Sequence, residues 1–315
     1  MRNSISEPSP TSFTNSLFCY FCATRPMFLI AALMACLIGV AAAINSGVVF
    51  QPVLAVATLV LALTMHAAVN VINDYFDALN GTDAINHERL YPFTGGSRFI
   101  QNGVMTLKRT AYLAYALLFT SVLGGLILTY YVNLGLLVLG MMGVLIGWAY
   151  SATPFRLNGR GLGEFCVFLG FLGLVVGADY VQRQIFSLVP ISAGVPYALL
   201  VTSLLYINQF PDRHADMVSG KRTLVVRLKS EHAVWVYLVV MLMALAWLFG
   251  SVYMSIFPTS VMLSAMPLFF SLHAFYVLHQ FSEKPAQLLP AIKSTLASML
   301  SHALLLTIIL LWNAS

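Results

Sequence analysis

The segment Asn70-Val-Ile-Asn73-Asp74-Tyr-Phe-Asp77 closes an apolar run that begins at residue 52 and contains no charged residue before Asp74. A run of this length can cross a bilayer as a helix, because about 20 apolar residues span the hydrocarbon core. If the helix continues to Asp77, two carboxylates lie three residues apart and share a face with two amides. The stretch therefore predicts a membrane helix that ends in a cluster of polar side chains.

The rest of the chain also has the composition of a membrane protein. Of its 315 residues, 59% are hydrophobic and 9% are charged, against about 25% charged in soluble domains. Nine apolar runs are long enough to span a bilayer, at residues 27–47, 52–72, 110–132, 134–151, 165–181, 188–208, 233–257, 259–281 and 292–312. We therefore predict an all-α bundle of nine transmembrane helices in the lipid bilayer.

The basic residues predict the orientation of this bundle. With the N-terminus in the cytoplasm, every Lys and Arg except Arg183 falls on the cytoplasmic side, as the positive-inside rule requires. The two long loops, residues 73–108 and 209–231, then face the cytoplasm and form the working face. The net charge of +5 agrees with this bias, and no basic block indicates a nucleic-acid partner. We expect a multi-pass protein of a bacterial inner membrane.

The chain is expected to divide near its first apolar run. Residues 1–24 are rich in Ser, Pro and Thr, which favours a disordered N-terminal tail. They lack the charged-then-apolar order of a cleaved signal peptide, so the first helix is expected to be retained. Residues 25–315 are expected to form a single transmembrane domain.

A second polar segment occupies the other long loop. Asn208, Asp212 and Asp216 recur at four-residue spacing, which places them on one helical face. Pro211 lies inside this stretch and is expected to kink or restart the helix. Because the spacing echoes that of the first segment, we expect two halves of a bundle that face each other across a polar cavity.

The chemistry of these segments favours a divalent cation. Five of the eleven acidic residues lie in them, and they would repel one another without a positive charge between them. Mg²⁺ prefers hard oxygen ligands and takes one or two carboxylates, which leaves its other positions for water and phosphate. Zn²⁺ would require Cys or His ligands.

The residues around the acids favour a diphosphate that carries a hydrocarbon chain. Arg89 and Arg98 follow the first segment, and Arg213 and Lys221 follow the second; such cations complete a diphosphate clamp or are ordinary positive-inside residues. The loop over residues 91–97 is rich in turn formers and backbone donors, which suit a phosphate cradle or a lid. Loss of diphosphate from an allylic carbon leaves a cation that aromatic faces stabilise where water is excluded.

Five motifs lie along the chain: Asn73-Asp74-x2-Asp77-x5-Asp83, Pro92-Phe-Thr-Gly-Gly-Ser-Arg98, Tyr150-Ser-x2-Pro154, Arg160-Gly-Leu-Gly-Glu164 and Asn208-x3-Asp212-x3-Asp216-x3-Gly220-Lys221-Arg-Thr-Leu224. Together they resemble the UbiA superfamily of intramembrane aromatic prenyltransferases, from about residue 25 to the end. The gap before Asp83 and the two Gly-rich stretches are most similar to the MenA branch, which prenylates 1,4-dihydroxy-2-naphthoate, with loss of carbon dioxide, on the way to menaquinone.

The resemblance implies Mg²⁺-dependent transfer of a chain from an isoprenyl diphosphate to an aromatic acceptor. It assigns the metal to Asp74, Asp77, Asp212 and Asp216. It assigns supporting roles to Asn73, Asn208 and Asp83, diphosphate contacts to Lys221 and Arg98, and positions near the acceptor to Tyr150 and Arg160.

Two alternatives remain open. A sister enzyme would act on another acceptor, such as 4-hydroxybenzoate or homogentisate. A transporter would also carry acids within the membrane, although its charged groups or broken helices would lie near the midplane. No strong general base is evident, and Asp179 lies far from both polar segments without a functional explanation.

Overall fold

The computed structural model describes residues 6–314, and all of the regular secondary structure in that range is helical. The α-helices are α1 (Ser16–Ala23), α2 (Pro26–Asn45), α3 (Pro52–Leu79), α4 (Thr82–Ile85), α5 (Leu107–Tyr131), α6 (Gly135–Ser151), α7 (Gly163–Arg183), α8 (Val189–Val218), α9 (Leu224–Arg227), α10 (Ser230–Tyr253), α11 (Leu268–Phe281) and α12 (Leu289–Trp312). The predicted all-α class is confirmed.

Eight segments between residues 6 and 314 are long and apolar enough to cross a membrane. They are α2, α3, α5, α7, α8, α10, α12 and Thr259–Phe281, in which a 3-10 turn leads into α11. The ninth apolar helix, α6, has 17 residues, and at 1.5 Å per residue it is about 26 Å long. That is shorter than a hydrocarbon core of about 30 Å. The multi-pass character is confirmed, and the count of nine stays a prediction that depends on α6.

The central helix of the bundle is α8. In the 18-residue apolar stretch of α8, 89% of the residues are buried, against 17% in the corresponding stretch of α3. The helix packs against α2, α7, α10 and α12. It continues without a break through Pro196 and Pro211, so Pro211 does not restart the helix, and the kink expected as the other outcome stays a prediction. Neighbours on four sides hold the helix together where proline removes a backbone hydrogen bond. Asn208, Asp212 and Asp216 therefore belong to one helix.

An ion pair within α7 orients an arginine that hydrogen-bonds to the end of α2, at the end of the bundle remote from the acidic segments. Asp179 is 1% exposed, and its carboxylate accepts two hydrogen bonds from the guanidinium of Arg183, at 2.7 and 2.9 Å. Arg183 also donates to Oγ of Ser46, just after α2, at 2.9 Å. Bidentate pairs of this kind are among the stronger polar contacts. Asp179 thus has a structural role.

The structure differs from the disorder expected before residue 25. Residues 1–5 lie outside the described range, but Pro10–Ser12 form a 3-10 turn and α1 follows. The side chain of Asn15 caps α1 by accepting the N–H of Leu17 at 2.8 Å, a strong helix-start signal. Cys19 and Ala23 of α1 pack with Phe99 and Met105. The polar composition of the tail concealed these contacts.

Helix α2 packs closely on α7 at Gly39, and this contact can be tested by substitution. A Cβ atom at Gly39 would lie 2.2 Å from the carbonyl oxygen of Val175 and 2.8 Å from Cβ of Ala178. Gly39→Ala must push the helices apart, and we expect a loss of about 1–3 kcal/mol in the free energy of unfolding. Gly177→Ala is the matched control, since a Cβ there would have no atom within 4 Å. Thermal unfolding in detergent should separate the variants; equal midpoints would contradict this packing.

Candidate active site

The ends of α3 and α8 that carry the two acidic segments lie beside each other. Nδ2 of Asn86, the residue directly after α4, donates to Oδ1 of Asp212 on α8 at 2.6 Å. The hydroxyls of Thr82 and Ser219 are 2.9 Å apart. The two segments thus meet at one end of the bundle, as their matching spacing predicted.

Lys221 connects the carboxylates of the two helices. Its Nζ lies 2.7 Å from Oδ1 of Asp77 and 3.8 Å from Oδ1 of Asp216. Burial alone would lower the pKa of Lys221, but these two carboxylates outweigh burial and raise that pKa above its ordinary value. Lys221 therefore stays protonated, and its charge reduces the repulsion between the carboxylates of α3 and α8.

The loop Thr94-Gly-Gly-Ser97 covers both acidic segments. The backbone N–H of Ser97 donates to Oδ1 of Asp74 at 3.2 Å, and that of Gly95 donates to Oδ2 of Asp212 at 3.4 Å. Gly95 and Gly96 have φ angles of +76° and +73°, which glycine adopts without steric cost. A Cβ atom on Gly96 would lie 2.4 Å from Oδ2 of Asp83. Only glycine lets the backbone approach the acids this closely.

A cavity of about 320 Å³ extends from the acids into the apolar bundle. Eight of the eleven predicted site residues line it, namely Asn73, Asp77, Asp83, Tyr150, Asn208, Asp212, Asp216 and Lys221. Its apolar part is lined by Ala62, Met65, Phe171 and Leu174, among others. Along α3, the distance from Asp77 to Ala62 is about 22 Å at 1.5 Å per residue. The cavity thus joins a charged end to a hydrophobic one.

Three predicted site residues do not line this cavity. Asp74 lies under the glycine loop, where it accepts the N–H of Ser97. Arg98 donates to the backbone carbonyl of Asp83, and exposed Arg160 donates to that of Pro154 at 2.8 Å. The contacts expected for Arg98 with a diphosphate and for Arg160 near an acceptor stay predictions, and in the structure each guanidinium donates to a loop carbonyl.

Two further cavity residues had no recognisable signal in the sequence. Asn86 holds Asp212, and its Oδ1 is buried without a hydrogen-bond partner among residues 6–314. Arg25 lies over the ring of Phe28 at 4.5 Å and donates to the carbonyl of Phe93 at 3.4 Å. It forms no ion pair within the described residues. Arg25 was predicted only as a topology charge, and its position in the cavity wall follows from the tertiary fold.

The residues at the charged end fit Mg²⁺. Within residues 6–314, no three acidic, His or Cys side chains converge on one metal position, but Mg²⁺ usually takes one or two carboxylates and completes its shell with water and phosphate. Burial, together with Asp77 and Asp74, raises the pKa of Asp83 well above its ordinary value. Oδ1 of Asn208 is buried without a partner among the described residues. These hard oxygens suit a divalent cation such as Mg²⁺.

Comparison with known proteins identifies the family. The chain matches the UbiA prenyltransferase family over residues 32–310. It belongs to this family. It is 32% identical over 219 residues to the 1,4-dihydroxy-2-naphthoate octaprenyltransferase of Escherichia coli (strain K12), covering 66% of this chain and 68% of the relative. The protein of the same name from Haemophilus influenzae is 30% identical over 270 residues, or 82% and 83% of the two chains.

The fold of this prenyltransferase is also that of solved family members. A UbiA homolog from Archaeoglobus fulgidus, bound to DMAPP and Mg²⁺, superposes with a TM-score of 0.64 at 16% identity and covers 92% of this chain and 99% of that chain. The family match makes the chain a prenyltransferase, and its apolar helices make it an integral membrane protein. The transporter alternative is wrong.

The approach of the glycine loop to the acids can be tested with a matched pair of substitutions in this prenyltransferase. Gly96→Ala would press a methyl group against Asp83, and we expect prenyl transfer to fall about 100-fold, as for other displacements of reacting groups by about 1 Å. Gly103 has a similar φ of +71°, but a Cβ there would have no atom within 4 Å. Gly103→Ala should keep most of the activity in initial-rate assays; similar losses in both variants would indicate backbone strain alone.

Proposed function

We propose that this enzyme transfers an isoprenyl chain from an isoprenyl diphosphate to 1,4-dihydroxy-2-naphthoate in menaquinone biosynthesis. The observation that carries the proposal is the cavity with opposed carboxylates from α3 and α8 at one end and apolar walls at the other. Such a cavity suits a substrate with a phosphate head and a hydrocarbon chain. The naphthoate acceptor is supported by the two bacterial relatives that carry this activity in their names.

The charged end would bind the diphosphate. Asp74, Asp77, Asp212 and Asp216 would hold Mg²⁺, which when bound neutralises the diphosphate and assists its departure. Lys221 adds a cation that stays protonated and lies within reach of both helices. Asn86 and the N–H of Gly95 hold Asp212 in place, so the carboxylates are oriented before the substrate binds. Asn73 has a similar role, because it donates to Oδ2 of Asp77 at 3.2 Å.

The apolar end would hold the isoprenyl chain and exclude water. The allylic C–O bond breaks, and its electron pair leaves with the diphosphate. The rings of Tyr150, Phe93 and Phe171 line the cavity and offer π faces to the resulting cation. The electron-rich acceptor ring then forms the new C–C bond at the carbon that carries the carboxylate, and this carboxylate departs as carbon dioxide, which restores the aromatic ring without a proton acceptor. The net products are the prenylated ring, diphosphate and carbon dioxide.

Arg25 supports an acceptor that carries a carboxylate. Within residues 6–314, Arg25 and Lys221 are the two cations that line the cavity. Lys221 is already paired with carboxylates. Arg25 follows Thr24, whose carbonyl accepts Nδ2 of Asn70 at 3.0 Å. The backbone just before Arg25 therefore lies beside Asn70, about one helical turn before Asp74 on α3. Homogentisate and 4-hydroxybenzoate are also carboxylates, so within this class the bacterial relatives favour the naphthoate.

The orientation of the enzyme belongs to the same proposal. The loops that carry the acids, residues 73–108 and 209–231, also carry eight of the sixteen basic residues, which the positive-inside rule assigns to the cytoplasm. A cytoplasmic site would receive a water-soluble acceptor from one side and a lipid-anchored diphosphate from the bilayer. With bacterial relatives, we place the enzyme in a bacterial inner membrane.

The reaction can be tested in purified membranes with Mg²⁺, isoprenyl diphosphates of several lengths and a panel of aromatic acids. We expect mass spectrometry to show a prenylated, decarboxylated naphthoquinol, and chelation to abolish its formation until Mg²⁺ is restored. Asp77→Asn and Asp212→Asn should remove turnover, because each deletes a charge on one side of the metal site. Glu231→Gln, at an exposed acid of α10, is the charge-matched control. Activity retained in both Asp variants would refute the mechanism.

The acceptor contact is tested by Arg25→Gln. Loss of a charge-assisted hydrogen bond should raise the KM for the naphthoate by about 10- to 100-fold and leave the KM for the isoprenyl diphosphate nearly unchanged. Arg156→Gln removes a cation outside the cavity lining and should change neither value. A selective rise in the KM for the diphosphate would instead assign Arg25 to the diphosphate clamp.

A further inference from the structure

An ion-pair network joins the start of the described chain to the loop that covers the acids. Oε1 of Glu7 accepts Nε of Arg89 at 2.7 Å. Its Oε2 accepts Nδ2 of Asn102 at 3.1 Å and lies 3.8 Å from Nε of Arg98. Nδ2 of Asn102 also donates to the carbonyl of Pro8 at 2.9 Å. The Glu7 carboxylate thus contacts three side chains that flank the glycine loop.

The two arginines connect Glu7 to the active site. Nη1 of Arg89 donates to the carbonyl of Asn86 at 2.5 Å, and Asn86 in turn holds Asp212. Nη1 of Arg98 donates to the carbonyl of Asp83, whose side chain lines the cavity. Glu7 is therefore separated by one arginine from Asp83 and by the other from Asn86, the residue that holds Asp212 of α8.

The side chain of Arg89 also occupies the space beside the glycine loop. A Cβ atom on Gly95 would lie 2.6 Å from Cβ and 2.7 Å from Cδ of Arg89. Because Gly95 donates its N–H to Asp212, the conformation of Arg89 limits where this donor can lie. Without Glu7, Nε of each guanidinium would lose its carboxylate partner, and each group would be held only through Nη1 by a loop carbonyl.

Apolar contacts anchor the same segment independently of Glu7. The rings of Phe13 and Phe99 are 5.3 Å apart, and Cys19 and Ala23 of α1 pack against Phe99 and Met105. Phe99 follows Arg98 directly, so the apolar contact and the ion pairs act on the same loop. We call residues 7–23 the N-terminal strap. Loss of the Glu7 charge should leave the strap in place while releasing the two arginines.

We propose that Glu7 is a positioning residue, which acts through Arg89 and Arg98 to hold the loop over residues 86–98 in the geometry that binds the isoprenyl diphosphate. An exposed ion pair contributes little, but a network with several donors contributes more; the side chains of Arg89 and Glu7 are 20% and 28% exposed. The inference rests on the proposed diphosphate site and not on the identity of the acceptor.

The test compares two neutralised glutamates in the full-length enzyme. Glu7→Gln removes the charge that holds the arginines, and we expect kcat/KM for the isoprenyl diphosphate to fall about tenfold, as is usual when a residue that orients metal ligands is lost. The KM for the acceptor should not change. Glu88→Gln makes the same charge change beside Arg89, at an exposed side chain with no hydrogen bond or ion pair in the described range, and should behave as the parent.

A double-substitution experiment checks the route of the effect. If Glu7 acts through Arg89, the combination of Glu7→Gln and Arg89→Gln should be no worse than Arg89→Gln alone, since coupled positions are not additive. Faster hydrogen exchange over residues 86–98 in Glu7→Gln should accompany the loss. Parent-like kinetics of Glu7→Gln, or fully additive losses, would overturn the proposal.

The outcome can be separated from that of the proposed function. The assays use whichever aromatic acid the parent enzyme prenylates, so a wrong acceptor leaves this test intact. A parent enzyme that needs no divalent cation would refute the metal site and the role of Glu7 together. A parent enzyme that needs Mg²⁺ but tolerates Glu7→Gln would refute only the proposed role of Glu7.

Discussion

The repulsion between buried carboxylates at the ends of α3 and α8 is the constraint on which the rest of this enzyme depends. Removing a charge from water costs on the order of several kcal/mol unless a partner compensates. Here Lys221 lies between Asp77 and Asp216, and loop donors hold Asp74 and Asp212. All these partners come from loops at one end of the bundle. The membrane spans can therefore be almost wholly apolar.

The fold was largely predictable because its signals are local. The length of each apolar run decides where a span lies, and the observed α3 includes the predicted run and continues through Asp77. The failures have physical reasons of another kind. α8 passes Pro211 without restarting because four neighbouring helices enclose it, and α1 forms because its apolar face packs on Phe99. Neither contact is visible in the composition of the segment concerned.

The candidate site was predictable where helical spacing placed residues together, and not where the tertiary fold did. Asp212 and Asp216 share a face because they are four residues apart. The partner of Asp212, Asn86, is 126 residues away in the chain, and Glu7 is 82 residues from Arg89. Long-range pairs of this kind leave no periodic pattern. Arg98 is a further example, because its guanidinium donates to the backbone carbonyl of Asp83, 15 residues earlier in the chain, and does not line the cavity.

Binding of a non-reactive isoprenyl diphosphate analogue would test most directly whether both helix ends serve one metal–diphosphate site. Calorimetry on the purified enzyme, with and without Mg²⁺, would compare the parent with Asp77→Asn on α3 and Asp216→Asn on α8. We expect binding that requires Mg²⁺ and is lost when either helix loses its carboxylate. Binding that persists in the presence of a chelator, or that depends on only one of the two helices, would contradict a shared site.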